Sequence, residues 1–73
     1  MKTIHLQGIG KREASFASEI KAGDTLIWNF GESERVLSIN KETTSVIWIL
    51  LQSITGETRT IKMLKSRLVA IKN

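Results

Sequence analysis

The chain has no cysteine, no proline, no tyrosine and a single histidine among its 73 residues. Without cysteine there is neither a disulfide staple nor a thiolate zinc site. One histidine excludes a multi-histidine metal centre, and a catalytic dyad built on His5 would have to recruit a distant serine with no elbow motif to orient it. Two tryptophans and two phenylalanines are the only aromatics, too few for the aromatic-lined groove that reads proline-rich peptides. Long apolar runs are missing too. The longest, Val46 to Leu51, falls far short of the roughly 20 residues that span a bilayer. The first ten residues lack the apolar stretch of about 7 to 15 residues that a secretory signal carries. These absences read as a cytoplasmic protein with no membrane partner.

Phosphate-binding loops are absent as well. Gly8-Ile9-Gly10-Lys11 has one residue between its glycines and Arg12 after the lysine, where a true loop has four between them and Ser or Thr after it. No cofactor, metal or small-molecule substrate is expected. A domain this small offers little room for a ligand cleft of roughly 300 to 1,000 Å³, so the chain is not expected to be an enzyme.

What is present is positive charge, unevenly placed. The net charge is +4. Residues 1–36 carry five basic and five acidic side chains, whereas residues 37–73 carry six basic and two acidic. All the excess lies in the second half, which suits either an anionic partner, nucleic acid first, or a solvated face. Arg59, Lys62, Lys65 and Arg67 form its densest stretch. Strand parity puts Arg59 and Lys62 on opposite faces, leaving Lys62, Lys65 and Arg67 to converge around one turn.

A chain of this length is one domain and buries about 60% of its unfolded surface. Close packing or self-association must hold it together. Thr3 to Leu6 reads as a first strand by its period-2 alternation. Gly8 and Gly10 stop it. Lys11 to Ala22 reads as a loop with one helical turn around Ala14 to Ser18, where Phe16 and Ile20 share a face and plug one end of a barrel. Further strands are expected at Asp24 to Phe30, Arg35 to Lys41, Thr44 to Ser53, Thr58 to Leu64 and Leu68 to Ile71. The turns between them are Gly23-Asp24, Gly31 to Glu34, Glu42-Thr43 and Thr55-Gly56-Glu57. Lys65-Ser66-Arg67 leaves room for one tight turn, read as a short 3₁₀ segment.

The fourth strand decides the architecture. Val46-Ile47-Trp48-Ile49-Leu50-Leu51 is apolar on both faces, so each face needs cover. A sheet bent over its own inner face, with the Phe16 loop or a partner outside, supplies it. The expected fold is all-β, a small five- to six-stranded SH3-like barrel. An OB-type barrel wants a helix for which Lys41 to Thr44 leaves no room. Trp28, grouped with Leu26 and Phe30, and Trp48, grouped with Val46 and Leu50, read mainly as core.

The spacing Ala17-x-Glu19-Ile20-x-x-Gly23-Asp24-x-x-x-Trp28-Asn29-x-Gly31, with Lys62-x-x-Lys65-x-Arg67-Leu68-Val69 later, resembles a group of small SH3-like barrel proteins. These come from Gram-positive bacteria and their phages or plasmids. The resemblance implies a fold and a mobile-element setting, and no mechanism.

Two functions are consistent with these features. The first is a non-enzymatic interaction module that meets a protein partner, or a second copy of itself, through an apolar face at the fourth strand. The second is a nucleic-acid-binding barrel with a basic edge, its phosphate contacts made by Arg59, Lys62, Lys65 and Arg67 and its stacking surface by Trp28.

Overall fold

The computed structural model describes residues 2–72. Among them lie seven strands: β1 (Lys2–Leu6), β2 (Gly10–Phe16), β3 (Thr25–Ile27), β4 (Ser33–Glu42), β5 (Val46–Ser53), β6 (Thr58–Leu64) and β7 (Leu68–Lys72). Short 3₁₀ turns at Ala17–Glu19 and Asn29–Gly31 link β2 to β3 and β3 to β4. The strands form one antiparallel sheet in the order β1-β2-β7-β3-β4-β5-β6. The last strand is thus inserted in the middle, and β1 and β6 are left as edges. The all-β expectation holds, but there are seven strands rather than five or six, and the sheet does not close into a barrel. No helix among the described residues is long and apolar enough to cross a membrane.

The additional strand is β2, where a loop with a helical turn at Ala14 to Ser18 was expected. Gly10-Lys11-Arg12-Glu13-Ala14-Ser15-Phe16 offers no apolar alternation, because only Ala14 is buried. Its strand character comes from partners on both sides, β1 in a hairpin and β7 across Ala14↔Ala70. Tertiary pairing here overrides a weak local pattern. Gly8 and Gly10 stop the first strand as expected, and the turn they build leads straight into β2. Phe16 and Ile20 part company as well. Ile20 enters the core while Phe16 stays at the surface, with the Lys2 ammonium 4.7 Å above its ring.

The Ala17–Glu19 turn is fixed at both ends. Its Ala17 N–H donates to the Arg67 carbonyl at 2.8 Å, and Glu19 Oε1 accepts the Phe16 N–H at 3.1 Å. Ala17 is wholly buried, so its methyl is as much side chain as the site shows filled. The next turn behaves as its sequence promises. Asp24 Oδ2 accepts the Lys21 N–H at 3.0 Å, and Gly23 holds φ +97° while its N–H donates to the Val36 carbonyl at 2.9 Å. The turn before β7 is a plain reverse turn, closed by the Arg67 N–H on the Leu64 carbonyl at 3.1 Å, rather than a 3₁₀ segment.

The strand expected over Asp24 to Phe30 is shorter. It ends at Ile27, since Phe30 takes φ 65°, the only positive value at a non-glycine among the described residues. Two contacts hold that turn to the β1–β2 turn. The Phe30 N–H donates to the Gln7 carbonyl at 2.6 Å, and Asn29 Oδ1 accepts the Gln7 N–H at 2.9 Å. A Cβ on Gly8 would stand 2.6 Å from Phe30 Cδ1, so the close approach depends on glycine there.

The inner face of β5 is Ile47, Ile49 and Leu51, each buried to within 1%. Leu26, Val36, Met63 and Val69 complete the core, with Trp28, Ile39, Ile61 and Ile71 packed against it. Trp48 with Val46 and Leu50 is therefore not core. These three share the outer face and are half-buried, a correction to the sequence reading. Parity shows that they go together but not which side is in. The β-branched pair Ile47 and Ile49 fills the concave side, where β4 bends across it at two register shifts, between Val36 and Ser38 and between Ile39 and Lys41. Each shift is a bulge that kinks the strand and raises its twist.

Replacing Gly23 by valine forces a β-branched residue into left-handed backbone and should cost about 1–3 kcal/mol. Asp24→Ala removes one side-chain acceptor and should cost about 0.5–1.5 kcal/mol. Urea melts of both variants check the order, and equal midpoints with the parent would remove this turn from the determinants of the fold.

Candidate binding face

The cationic residues singled out in the sequence separate into three groups. Arg59 lies opposite Leu51 on the inner-face register of β6, which brings it to Glu34 at the start of β4. Its Nε donates to Glu34 Oε2 at 3.0 Å and its Nη2 to Oε1, while Trp28 Nε1–H donates to the same Oε1 at 2.9 Å. The Arg67 guanidinium stands 6.0 Å over the Trp28 ring, at the limit of a cation–π contact. Trp28, Arg59 and Arg67 are thus gathered, whereas the expected convergence of Lys62, Lys65 and Arg67 around one turn does not form. Lys65 instead pairs with Glu42 at 2.6 Å. Lys62 is on the opposite face, as strand parity requires.

Beside the Trp28 group lies a depression of about 780 Å³, lined by Trp28, Glu32, Glu34, Ser53, Ile54 and Arg59 among others. This exceeds the room that so short a chain was expected to offer. Its two engaged charges are locked in their ionised forms. Bonding to Arg59, and secondarily to Trp28, holds the Glu34 carboxyl below its usual 4.5, against a smaller opposing effect of burial, and Glu34 in turn raises Arg59. Neither group can exchange a proton near neutral pH, so this pair is unsuited to general acid–base work. It fixes the Trp28 ring and ties β6 to β4.

The outer face of β4, β5 and β6 is different in character. Lys41, Trp48 and Lys62 lie directly across from one another on the three strands. The two ammonium groups stand 5.1 and 5.6 Å from the indole centroid. No family, curated protein or solved structure matches this chain. The face must therefore be read from its own residues. Along β5, the ladder is flanked by Val46 opposite Leu64, then by Leu50 between Ser38 and Thr60, and by Gln52 between Arg35 and Thr58. Arg35, Lys41 and Lys62 have no carboxylate ion-pair partner among the described residues. No acid occupies a paired position on this face. Leu64 at 59% and Leu37 at 37% are exposed around its margin.

Lys41 and Arg35 were not among the sequence candidates as contact residues, and Trp48 was read mainly as core, yet part of the signal was present. Counting from the Thr43 turn puts Lys41 opposite Trp48, and counting from the Gly56 turn puts Lys62 opposite it. Assigning Trp48 to the core hid the ladder. Arg35 could not be placed by counting, because both bulges intervene.

The Glu34 pair gives a pH test. A carboxyl whose folded pKa is depressed contributes stability that is complete above its unfolded value and is lost as pH falls through the folded one. Acidification below about 4.5 should therefore destabilise the parent through this group, and Glu34→Gln should flatten that limb of the stability profile. Arg59→Met, which strands the carboxylate, should cost about 1 kcal/mol at neutral pH, since Arg59 is half exposed and solvent screens the pair. Chemical denaturation across the acid range would read both, and parallel acid limbs for parent and Glu34→Gln would refute the assignment.

Proposed function

We propose that this chain is a non-enzymatic interaction module whose contact surface is the outer face of β4, β5 and β6. One observation carries the reading. A row of apolar side chains on the β4–β5–β6 meander is only half-buried, with a tryptophan at its centre, although the same strand has a fully buried apolar row on its other side. Surface apolar residues scattered singly need no explanation, but a contiguous patch does. Val46, Trp48 and Leu50, bordered by Leu37 and Leu64, are contiguous. By apolar burial alone this row suits a protein partner or a second copy of the chain.

The same reading takes the fold as an opened relative of the SH3-like barrel. Short antiparallel strands, short turns and one tight turn before the final strand support it, as does the bending of β4. It places the protein in the cytoplasm of a Gram-positive bacterium, encoded by its phages or plasmids, on the strength of the Trp28-Asn29-x-Gly31 and Lys65-x-Arg67-Leu68-Val69 elements.

If the row serves contact rather than folding, its residues are dispensable for stability. Trp48→Thr, which keeps a strand-favouring residue, should shift the unfolding free energy by no more than about 1 kcal/mol. Ile49→Ala, one residue away on the inner face, should cost about 2–5 kcal/mol. A loss for Trp48→Thr as large as that for Ile49→Ala would make the row structural cover and end the proposal.

A further inference from the structure

The outer face carries a second property that apolar burial does not use. Its three charged positions are all basic: Lys41 and Lys62 flank Trp48, and Arg35 stands two rungs along on β4. Across the strands the ring is bordered by ammonium groups, while Val46 and Leu50 border it along β5. Lysine is depleted at the dry centre of protein–protein interfaces, so two lysines at the centre of a contact face point to an anionic partner. A half-buried indole offers a π-surface, and every nucleobase can stack on one.

We infer that the Lys41–Trp48–Lys62 ladder binds single-stranded nucleic acid, an unpaired base stacking on the Trp48 indole and the adjoining phosphates meeting Lys41, Lys62 and Arg35. This inference rests on the outer face being the contact surface. Binding exchanges a lysine lying over the ring for a base, and the displaced ammonium for a phosphate contact. Two strand spacings separate Lys41 from Lys62, about 10 Å, a span of two to three nucleotides at most. A paired base keeps its faces inside the stack, so a duplex engages only the cations. The site differs from the basic edge expected from the sequence. Lys65 is paired with Glu42, Arg59 is held by Glu34, and Arg67 stands over Trp28.

The test is the binding of a labelled oligothymidine of about 12 nucleotides to the full chain, followed by anisotropy at about 50 and 200 mM salt. Three phosphate contacts to a single strand predict roughly a 20-fold loss of affinity over that range, and Lys41→Gln with Lys62→Gln should reduce the loss to about threefold. Trp48→Thr should weaken binding about tenfold with the salt slope unchanged. Lys65→Gln should change neither, and the matched duplex should bind more weakly than the single strand. Absence of binding at the lower salt, or loss caused by Lys65→Gln instead of the ladder variants, overturns the inference. If binding is absent while Trp48→Thr melts like the parent, the contact face stands and its partner is a protein. If Trp48→Thr also unfolds the chain, the face reading falls with it.

Discussion

The constraint behind the rest of this structure is that β5 is apolar on both faces while the chain is too short to cover both. Seventy-three residues leave little chain to spare, and the described ones form one layer of sheet with its turns and no α-helix to lay across the back. The sheet resolves the conflict by bending. Two bulges in β4 fold the meander over Ile47, Ile49 and Leu51, and burial of these residues together with Leu26, Val36 and Val69 makes the core. At this size the whole stability is roughly 4–11 kcal/mol, so a single inner-face truncation removes much of it. The outer row gets only the cover its neighbours on β4 and β6 can give, and these are Lys41, Lys62, Ser38, Thr60 and Leu64.

Much of this was legible because turns announce themselves locally. Gly23-Asp24 and Thr55-Gly56-Glu57 were placed from composition, and the structure puts positive φ on both glycines. What escaped were features decided at a distance. β2 has one buried side chain, so its sequence carries almost no signal, and it is a strand because β1 and β7 offer hydrogen bonds on either side. The inward face of β5 also lay beyond local reading, since Val46, Trp48 and Leu50 are as apolar as Ile47, Ile49 and Leu51. Only the curvature imposed by β4 distinguishes them.

Several residues between Ala17 and Gly31 turn out to hold joints. Ala17 is buried under the β6–β7 turn, Glu19 and Asp24 accept backbone N–H groups, and Asn29 caps the Gln7 N–H. Trp28 is pinned through Glu34 to Arg59. Such a pattern specifies how strands are tied together, which is why it speaks to fold and is silent about mechanism. The candidate contact residues Arg35, Lys41 and Trp48 lie outside it. A sheet tied in this way can keep its joints while its outer face changes.

Lys62 has a second explanation that must be weighed. It sits on β6, an open edge, where a lysine discourages pairing with another chain. Antiparallel pairing of two β6 edges about Ile61 would set Lys62 of each copy diagonal to the other, close enough to repel. Edge protection alone would account for Lys62 without any ligand. It cannot account for Arg35. Arg35 lies where β4 is paired on both sides, with β3 and β5, and has no edge to guard, whereas Lys41 is paired on the β5 side alone. Nor does local neutralisation explain them, since neither forms an ion pair among the described residues. Arg35, with no ion pair among the described residues and on the doubly paired part of β4, shares its face with the Trp48 indole and its two lysines, and is the cation that only the proposed anionic ligand would use.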